Sequence, residues 1–177
     1  MLPPSDALAD CVEYQTGYRP GLIGRIIELH ARTYAYIAGF GRSFESNVAA
    51  GLAEFMVRLD NPRNEIWAAI QSGVVIGSVT IDGEDMAPDR AHLRWFIVDE
   101  TSRSHGIGRW LLAQAVEFCD RHGFSETHLW TFQGLHAARK LYADQGFFLS
   151  EERLGSQWGK EVLEQRFVRL CVSPSAA

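Results

Sequence analysis

The stretch from Ala91 to Gly123 constrains the fold more than any other part of this sequence. It opens with an alternating segment, Ala91 to Val98, which is typical of a strand. The alternation predicts two faces: Leu93, Trp95 and Ile97 on one, and His92, Arg94, Phe96 and Val98 on the other. A glycine loop follows, and then a helix whose apolar stripe is Ile107, Leu111, Ala115 and Phe118. Gly123 is placed to cap that helix, so the stretch predicts a strand, a loop and a helix in succession.

The loop between this strand and helix reads Arg103-x-x-Gly106-x-Gly108, a pattern that suits a phosphate group. Glycines let the backbone approach an anion closely, and the first turn of a helix offers free N–H groups and the positive end of its dipole. A Rossmann fingerprint would need a third glycine where Leu111 stands. A Walker loop would need Lys and Ser or Thr in place of Arg109 and Trp110. On the pattern alone, an ordinary structural turn is an equal alternative.

The remaining periodicity predicts five elements before this unit and four after it. The first five are a strand at Cys11–Tyr18, helices at 20–37 and Glu45–Leu59, and strands at 66–70 and Val74–Ile81. The last four are a strand at Thr127–Phe132, a helix at Leu135–Gln145, and strands at Phe147–Leu154 and Val162–Leu170. This order predicts an α/β fold: a mixed sheet with helices on both faces. The 177 residues fit one domain, expected at 11–172, between tails at 1–10 and 173–177.

Composition excludes several classes of protein. A net charge of −5 argues against direct binding of nucleic acid, which usually requires a basic patch. The three cysteines lie far apart and form no CxxC pair, which argues against a disulfide framework or a zinc site. The N-terminus does not have the pattern of a signal peptide, and no apolar stretch approaches the ~18 residues that span a bilayer. The expectation is a cytoplasmic protein that does not bind membranes.

Two segments resemble the GNAT superfamily of N-acetyltransferases, and the resemblance covers roughly residues 12–170. From Leu93 to Gly123 the chain is similar to the family's strand, its Arg/Gln-x-x-Gly-x-Gly/Ala loop and its cofactor helix. Downstream, "AARKLYADQGFF" at 137–148 is similar to the family's Ala-x-x-Leu-Tyr-x-x-x-Gly-Phe segment. The resemblance implies a mostly antiparallel sheet of about seven strands flanked by about four helices. It also implies direct transfer of an acyl group, most simply acetyl, from acetyl-CoA to a primary amine, without a metal.

The resemblance also implies roles for individual residues. Tyr142 would give a proton to the leaving thiolate as general acid. Amides at Ile97 and Val98, where the family's strand bulges and splays, would polarise the thioester carbonyl. The pyrophosphate of the cofactor would be held by the loop, whose expected contacts are Arg103, Ser104, His105, Gly106, Ile107, Gly108 and Arg109. The family often has Asn where this chain has Leu135, and Gln133 or His136 are the neighbouring substitutes.

A base must take a proton from the acceptor, because an alkylamine has a pKa of about 10. His92 is the main candidate, since it lies on the central strand and imidazole titrates near neutrality. Glu65 is a weaker rival, and His30 is expected to pack or to face solvent. Trp158, Tyr36 and Arg42 are candidates for shaping the acceptor site.

Each of these residues also has a purely structural interpretation, and the chain has an alternative function. Tyr142 is also compatible with a core aromatic residue, and His92 with a strand histidine that has no catalytic role. Trp95 and Trp130 are most simply core residues. The alternative function is an acyl-CoA-binding regulatory module with little activity. A third is one module of a regulatory assembly, which would need a DNA-binding partner because this chain is acidic and has no helix-turn-helix pattern. The expected acceptor is a small molecule or a peptide amine, and an antibiotic, a polyamine, an amino acid or a protein N-terminus are all compatible with the sequence. A homodimer is also compatible with it.

Overall fold

The computed structural model describes residues 11–103 and 105–171. Seven strands and four helices follow one another in the predicted order. A short 3₁₀ turn at Glu100–Ser102 lies between the fourth strand and the third helix. The strands are β1 Val12–Thr16, β2 Glu65–Gln71, β3 Val74–Asp82, β4 Arg90–Val98, β5 Glu126–Phe132, β6 Phe148–Gly155 and β7 Val162–Leu170. The helices are α1 Leu22–Ala38, α2 Arg42–Val57, α3 Ile107–Arg121 and α4 His136–Asp144. The predicted α/β class and element order are confirmed, while the tails proposed at 1–10 and 173–177 lie outside the described residues.

The strands form one mixed sheet in the order β1-β2-β3-β4-β5-β7-β6. Every neighbouring pair is antiparallel except β4 and β5, which are parallel and joined through α3. A short loop joins the antiparallel strands β2 and β3, where Ser72 and Gly73 make the turn with both residues at positive φ. The parallel pair needs a longer crossover, and α3 supplies it.

Helices cover both faces of the sheet, as predicted. The alternation in β2 divides the core: Trp67 and Ala69 pack under α3, while Ile66 and Ala68 pack under α1 and α2. The predicted stripe of α3 is buried, with Leu111 fully inaccessible and Phe118 edge-on to Trp67 at 5.4 Å. No helix in the described part of the chain is long and apolar enough to cross a membrane.

A β-bulge interrupts β4 and corrects the predicted faces of this strand. Trp95 has φ of +46°, and the register with β3 shifts so that Trp95 and Phe96 together oppose Val79. Leu93 and Phe96 therefore pack on the α3 side, whereas Trp95 packs on the side of α1 and α2. The prediction that Leu93, Trp95 and Ile97 share one face was wrong, because one extra residue inverts the alternation beyond it.

The bulge holds Trp95 in a strained backbone conformation that neighbouring contacts stabilise. A bulky residue in the left-handed region costs about 1–3 kcal/mol, so surrounding contacts must stabilise it. The hydroxyl of Ser78 donates to the Trp95 carbonyl at 3.1 Å, and the Trp95 ring packs against Phe55 at 5.7 Å. Such strain in the middle of a central strand is typical of a functional position.

Candidate active site

Strands β4 and β5 separate after a short stretch of pairing. Arg90–His92 pair with Glu126–His128, and the two strands diverge beyond that point although β4 continues to Val98. A cavity of about 300 Å³ lies where they part. Both strands line it, together with residues of α1, α2, α4 and the loop between β6 and β7. The splay therefore opens a passage between the carboxyl ends of two parallel strands, where α/β sheets commonly bind ligands.

The N-terminus of α3 offers free backbone donors beside this opening. Gly106 caps the helix with φ of +78° and no side-chain cap, and the first helical bond runs from the Trp110 amide to the Gly106 carbonyl at 2.9 Å. The amides of Ile107, Gly108 and Arg109 precede that bond and have no partner within the helix. A side chain at Gly106 would meet nothing within 4 Å, so the approach to these amides is open.

Positive charge flanks the same helix end. The side chains of Arg103 and Arg109 are exposed, and neither forms an ion pair with a carboxylate of the described residues. Arg103 donates only a long hydrogen bond, from Nε to the Val98 carbonyl at 3.4 Å. The exposed ring of His105 lies beside the Ser102 carbonyl. Ser104, which was expected to contribute an amide, lies outside the described residues. The loop can hold a polyanion through amides and arginines together.

Gly108 has a packing role as well as a free amide. A Cβ there would stand 3.3 Å from Leu141 Cδ1 and 3.4 Å from the Phe96 ring. The absence of a side chain thus lets the first turn of α3 lie close to β4 and α4. This close approach brings the free amides next to the strand segment that contains Ile97 and Val98, one and two residues beyond the bulge.

Tyr142 reaches the cavity from α4. Its side chain is buried among Phe96, Phe147 and Phe167, with ring centroids 5.9–6.0 Å away, and it lines the cavity. Burial raises the pKa of Tyr142 well above its usual value, and the neighbouring Tyr34 raises it further. The hydroxyl is therefore a permanent hydrogen-bond donor at physiological pH, which suits a group that meets a developing anion.

His92 lines the same cavity and is held by a carboxylate. Its Nδ1 lies 2.6 Å from Asp85 Oδ2. An ionised carboxylate only accepts hydrogen bonds, so Nδ1 carries the proton and the neutral ring keeps its lone pair on Nε2. The sequence predicted that His92 and Tyr142 act at one site. In the structure both side chains line the same cavity.

His30 is a second histidine on the cavity wall. It is buried on α1, and its Nδ1 donates to the Ile26 carbonyl at 2.8 Å. Burial lowers the pKa of His30 to about 4, although the bond to Ile26 opposes this shift. His30 is thus neutral at pH 7 and a weak base. Of the two expectations, packing or facing solvent, its burial supports packing.

Of the other sequence candidates, one lines the cavity and three do not. Trp158 lines the cavity and lies 5.7 Å from the Phe132 ring. Glu65 instead accepts from the Gly17 amide at 3.1 Å and does not line the cavity, so its role is structural. Tyr36 is 85% exposed and Arg42 begins α2, both away from the cavity wall.

Leu135 has an apolar role in the structure. It precedes α4 and packs with the cluster of Phe40, Phe44, Val48 and Phe132. The suggested substitutes, Gln133 and His136, are both exposed. The side chain at this position therefore packs with Phe44 and Phe132, two aromatic residues that line the cavity.

Comparison with known proteins decides the family. The family model of the GNAT acetyltransferases matches residues 25–147, which is more than half of the chain. The chain belongs to the GNAT acetyltransferase family. No curated protein matches it at a significant level.

Solved structures share the GNAT fold at low identity. A GNAT acetyltransferase from Staphylococcus aureus Mu50 gives a TM-score of 0.71 at 18% identity, over 92% of this chain and 100% of that one. YncA from Salmonella typhimurium, named as an acetyltransferase and solved with acetyl-CoA, gives 0.74 at 14% identity, over 93% and 96%. The ribosomal-protein-alanine N-acetyltransferase of Brucella melitensis gives 0.72 at 14% identity, over 89% and 99%. At these identities the likeness establishes the fold and leaves the acceptor undetermined.

As a member of the GNAT acetyltransferase family, the chain is an acyltransferase. Three residues at this site were not singled out as candidates from the sequence: Arg94 and Tyr34, which line the cavity, and Asp85, which contacts His92 from outside the lining. Arg94 shares a strand face with His92, so the alternation of β4 already contained that signal. Asp85 lies in the irregular loop between β3 and β4, where no periodicity places a side chain.

Proposed function

We propose that this protein is an N-acetyltransferase that transfers the acetyl group of acetyl-CoA directly to a primary amine. The observation that carries the proposal is the splay between β4 and β5, which joins an anion-binding helix end to a cavity lined by both Tyr142 and His92. The helix end suits the pyrophosphate, and the splay suits the pantetheine arm.

The residues of the loop fit the cofactor. The amides of Ile107, Gly108 and Arg109 would bind the pyrophosphate, with Arg103 adding positive charge. When bound, acetyl-CoA supplies an acyl group already activated as a thioester. Amides near Ile97 and Val98 would stabilise the negative charge that develops on its carbonyl oxygen.

The proposed reaction needs two proton-handling groups. His92 Nε2 takes a proton from the acceptor ammonium, directly or through water, and Asp85 stabilises the imidazolium that forms. The free amine attacks the carbonyl carbon, so a C–N bond forms as the C–S bond breaks. Tyr142 donates a hydrogen bond, and then a proton, to the departing sulfur, and the second proton that the nitrogen loses as it becomes an amide returns to the Tyr142 oxygen.

A second candidate function is a regulatory module that binds acetyl-CoA without turnover. Leu135 favours it, because an apolar contact stands where the family often has an asparagine. Retention of Tyr142 on the cavity wall favours catalysis instead.

Amine-dependent release of CoA distinguishes these functions. We expect free thiol to appear when the protein is mixed with acetyl-CoA and a panel of small primary amines, with an equal amount of acetylated amine by mass spectrometry. The regulatory module would bind acetyl-CoA in calorimetry yet release no more thiol with amines than without them.

The cofactor site has its own test at Gly106. Replacing Gly106 with Asn should weaken acetyl-CoA binding at least about 10-fold, as expected for the loss of one hydrogen bond to a charged group, ~1.5–3 kcal/mol. Asn tolerates the positive φ at this position, so the helix start is retained while a side chain blocks the amides. Calorimetric titration measures the change.

Gly123→Asn is the matched control for this variant. Gly123 follows the other end of α3, has φ of +70° and also has nothing within 4 Å of its Cβ position. It should show a similar loss of thermal stability with unchanged affinity for acetyl-CoA. If Gly106→Asn and Gly123→Asn bind acetyl-CoA with equal affinity, the assignment of the cofactor site to this loop is wrong.

A further inference from the structure

Among the described residues, the lining of the cavity holds one permanent charge, and that charge is positive. Arg94 is the only arginine or lysine that lines the cavity, and no Asp or Glu of the described residues lines it. A polyamine or an aminoglycoside carries several ammonium groups, and desolvating them without carboxylate partners is unfavourable. The wall is instead suited to a ligand with a negative group.

Arg94 has donors that the protein does not use. Its Nη1 makes only long contacts, 3.4 Å to Asp82 and 3.3 Å to Asp85. Both carboxylates have closer partners, since Arg58 binds Asp82 at 2.8 and 2.9 Å and His92 lies 2.6 Å from Asp85. Within residues 11–103 and 105–171, the Nε and Nη2 groups of Arg94 have no hydrogen-bond acceptor.

The Arg94 guanidinium is also held in place. It lies 4.1 Å over the Trp95 ring, and Gly51 of α2 leaves room for it, because a Cβ there would stand 3.0 Å from Nη2. A fixed, planar guanidinium with unused N–H groups is the usual protein partner of a carboxylate. His92, two residues away on the same strand, would lie beside an amine attached near that carboxylate.

Another part of the cavity wall is aromatic. Tyr34, Phe44, Phe132 and Trp158 line it and contact one another edge-on, as in the pairs Tyr34–Phe44 at 5.4 Å and Phe132–Trp158 at 5.7 Å. Aromatic walls bind large apolar or aromatic groups. A volume of about 300 Å³ suits a small molecule of amino-acid size.

On the basis of the proposed function, we infer that the acceptor is a small amine bearing both a carboxylate and a large apolar group, of the class of the aromatic α-amino acids. Arg94 binds the carboxylate, the aromatic wall takes the side chain, and the amine lies toward His92 and the splay. The acetyl group then passes from sulfur to the α-nitrogen. Of the two protons that the nitrogen loses, one goes to His92 and the other replaces the proton that Tyr142 gives to the departing thiolate, so CoA leaves as a thiol.

The test compares two acceptors that differ only in the carboxylate. L-Phenylalanine and phenethylamine share the ring and the amine, so the ratio of their kcat/KM values reports recognition of the acid. We expect the wild-type protein to prefer phenylalanine at least about 50-fold, within the range for a bidentate, charge-assisted pair. Spermidine should be a poor acceptor.

Arg94→Met assigns that preference to one side chain. Met keeps an apolar stem over Trp95 but has no N–H groups, so kcat/KM for phenylalanine should fall about 50-fold while that for phenethylamine changes little. Differences in the basicity of the two amines cancel when the variant is compared with wild type. Thermal melting shows whether the variant is folded. If it is not folded, the comparison of phenylalanine with phenethylamine in the wild-type protein still tests the inference.

The outcomes separate this inference from the proposed function. Faster turnover of phenethylamine or spermidine than of phenylalanine overturns the acceptor class and leaves N-acetylation intact. Acetylation of peptide N-termini but of neither small amine likewise overturns it, in favour of a macromolecular acceptor. Binding of acetyl-CoA with no turnover of any amine contradicts the proposed function itself.

Discussion

Replacing Tyr142 with Phe is expected to lower kcat about 100-fold while leaving the Kd of acetyl-CoA nearly unchanged. The hydroxyl is needed only as negative charge develops on sulfur, so its loss affects the transition state and not the bound cofactor. The ring itself remains, and with it the packing against Phe96, Phe147 and Phe167. Single-turnover kinetics and calorimetric titration give the two quantities.

The pH profile adds a second expectation for Tyr142. Burial raises the pKa of its hydroxyl, so the donor form persists far into the alkaline range. Wild-type kcat should therefore show no falling limb from this residue up to about pH 9, since an ordinary tyrosine itself ionises only near 10. A raised pKa also makes full proton transfer to a thiolate less favourable, so the hydrogen bond is the larger contribution.

Tyr34→Phe is the informative comparison, because Tyr34 is the other tyrosine on the cavity wall. Burial raises its pKa to about 12, against the opposing charge of Arg103, so its hydroxyl also remains protonated. If Tyr34→Phe loses kcat and Tyr142→Phe does not, the donor to the sulfur is Tyr34. If neither variant changes kcat, both tyrosines pack and the thiolate is protonated by water.

The parts of the fold that depend on local pattern were predictable. The stripe of α3 and the alternation of β2 each bury one face, and hydrophobic periodicity reports such faces directly. Gly123 was expected to end a helix, and it has positive φ just beyond α3. The glycine loop was predictable for the same reason, since free amides belong to any helix start.

The features that were missed depend on partners distant in sequence. The alternation of Leu93, Trp95 and Ile97 is regular, and only pairing with Val79 on β3 reveals the extra residue at Trp95. Asp85 reaches His92 because an irregular loop folds back over the end of β4, and loop conformations leave no periodic trace. The aromatic wall is likewise assembled from α1, α2, β5 and the β6–β7 loop, which only tertiary structure brings together.

Replacing His92 with Gln is expected to lower kcat/KM about 100-fold at pH 7, where an alkylamine acceptor is almost entirely protonated. Gln keeps polarity and approximate size, and its amide can still donate to Asp85, but it cannot take up a proton. The loss should shrink as the pH approaches the pKa of the acceptor, about 10, because a free amine no longer needs a base. A merely structural histidine would give a loss that does not depend on pH in this way.

Two further variants locate the effect in the His92–Asp85 pair. Asp85→Asn should show a smaller loss with the same recovery at high pH, because the imidazole remains but its charged form is no longer stabilised. His122→Gln is the matched control, since His122 follows α3, stacks on Phe118 at 3.9 Å and does not line the cavity. Initial rates from pH 6 to 10 for the three variants decide the assignment. If His92→Gln keeps both the rate and the profile of the wild type, the proton leaves through water and His92 is a strand histidine beside the acceptor.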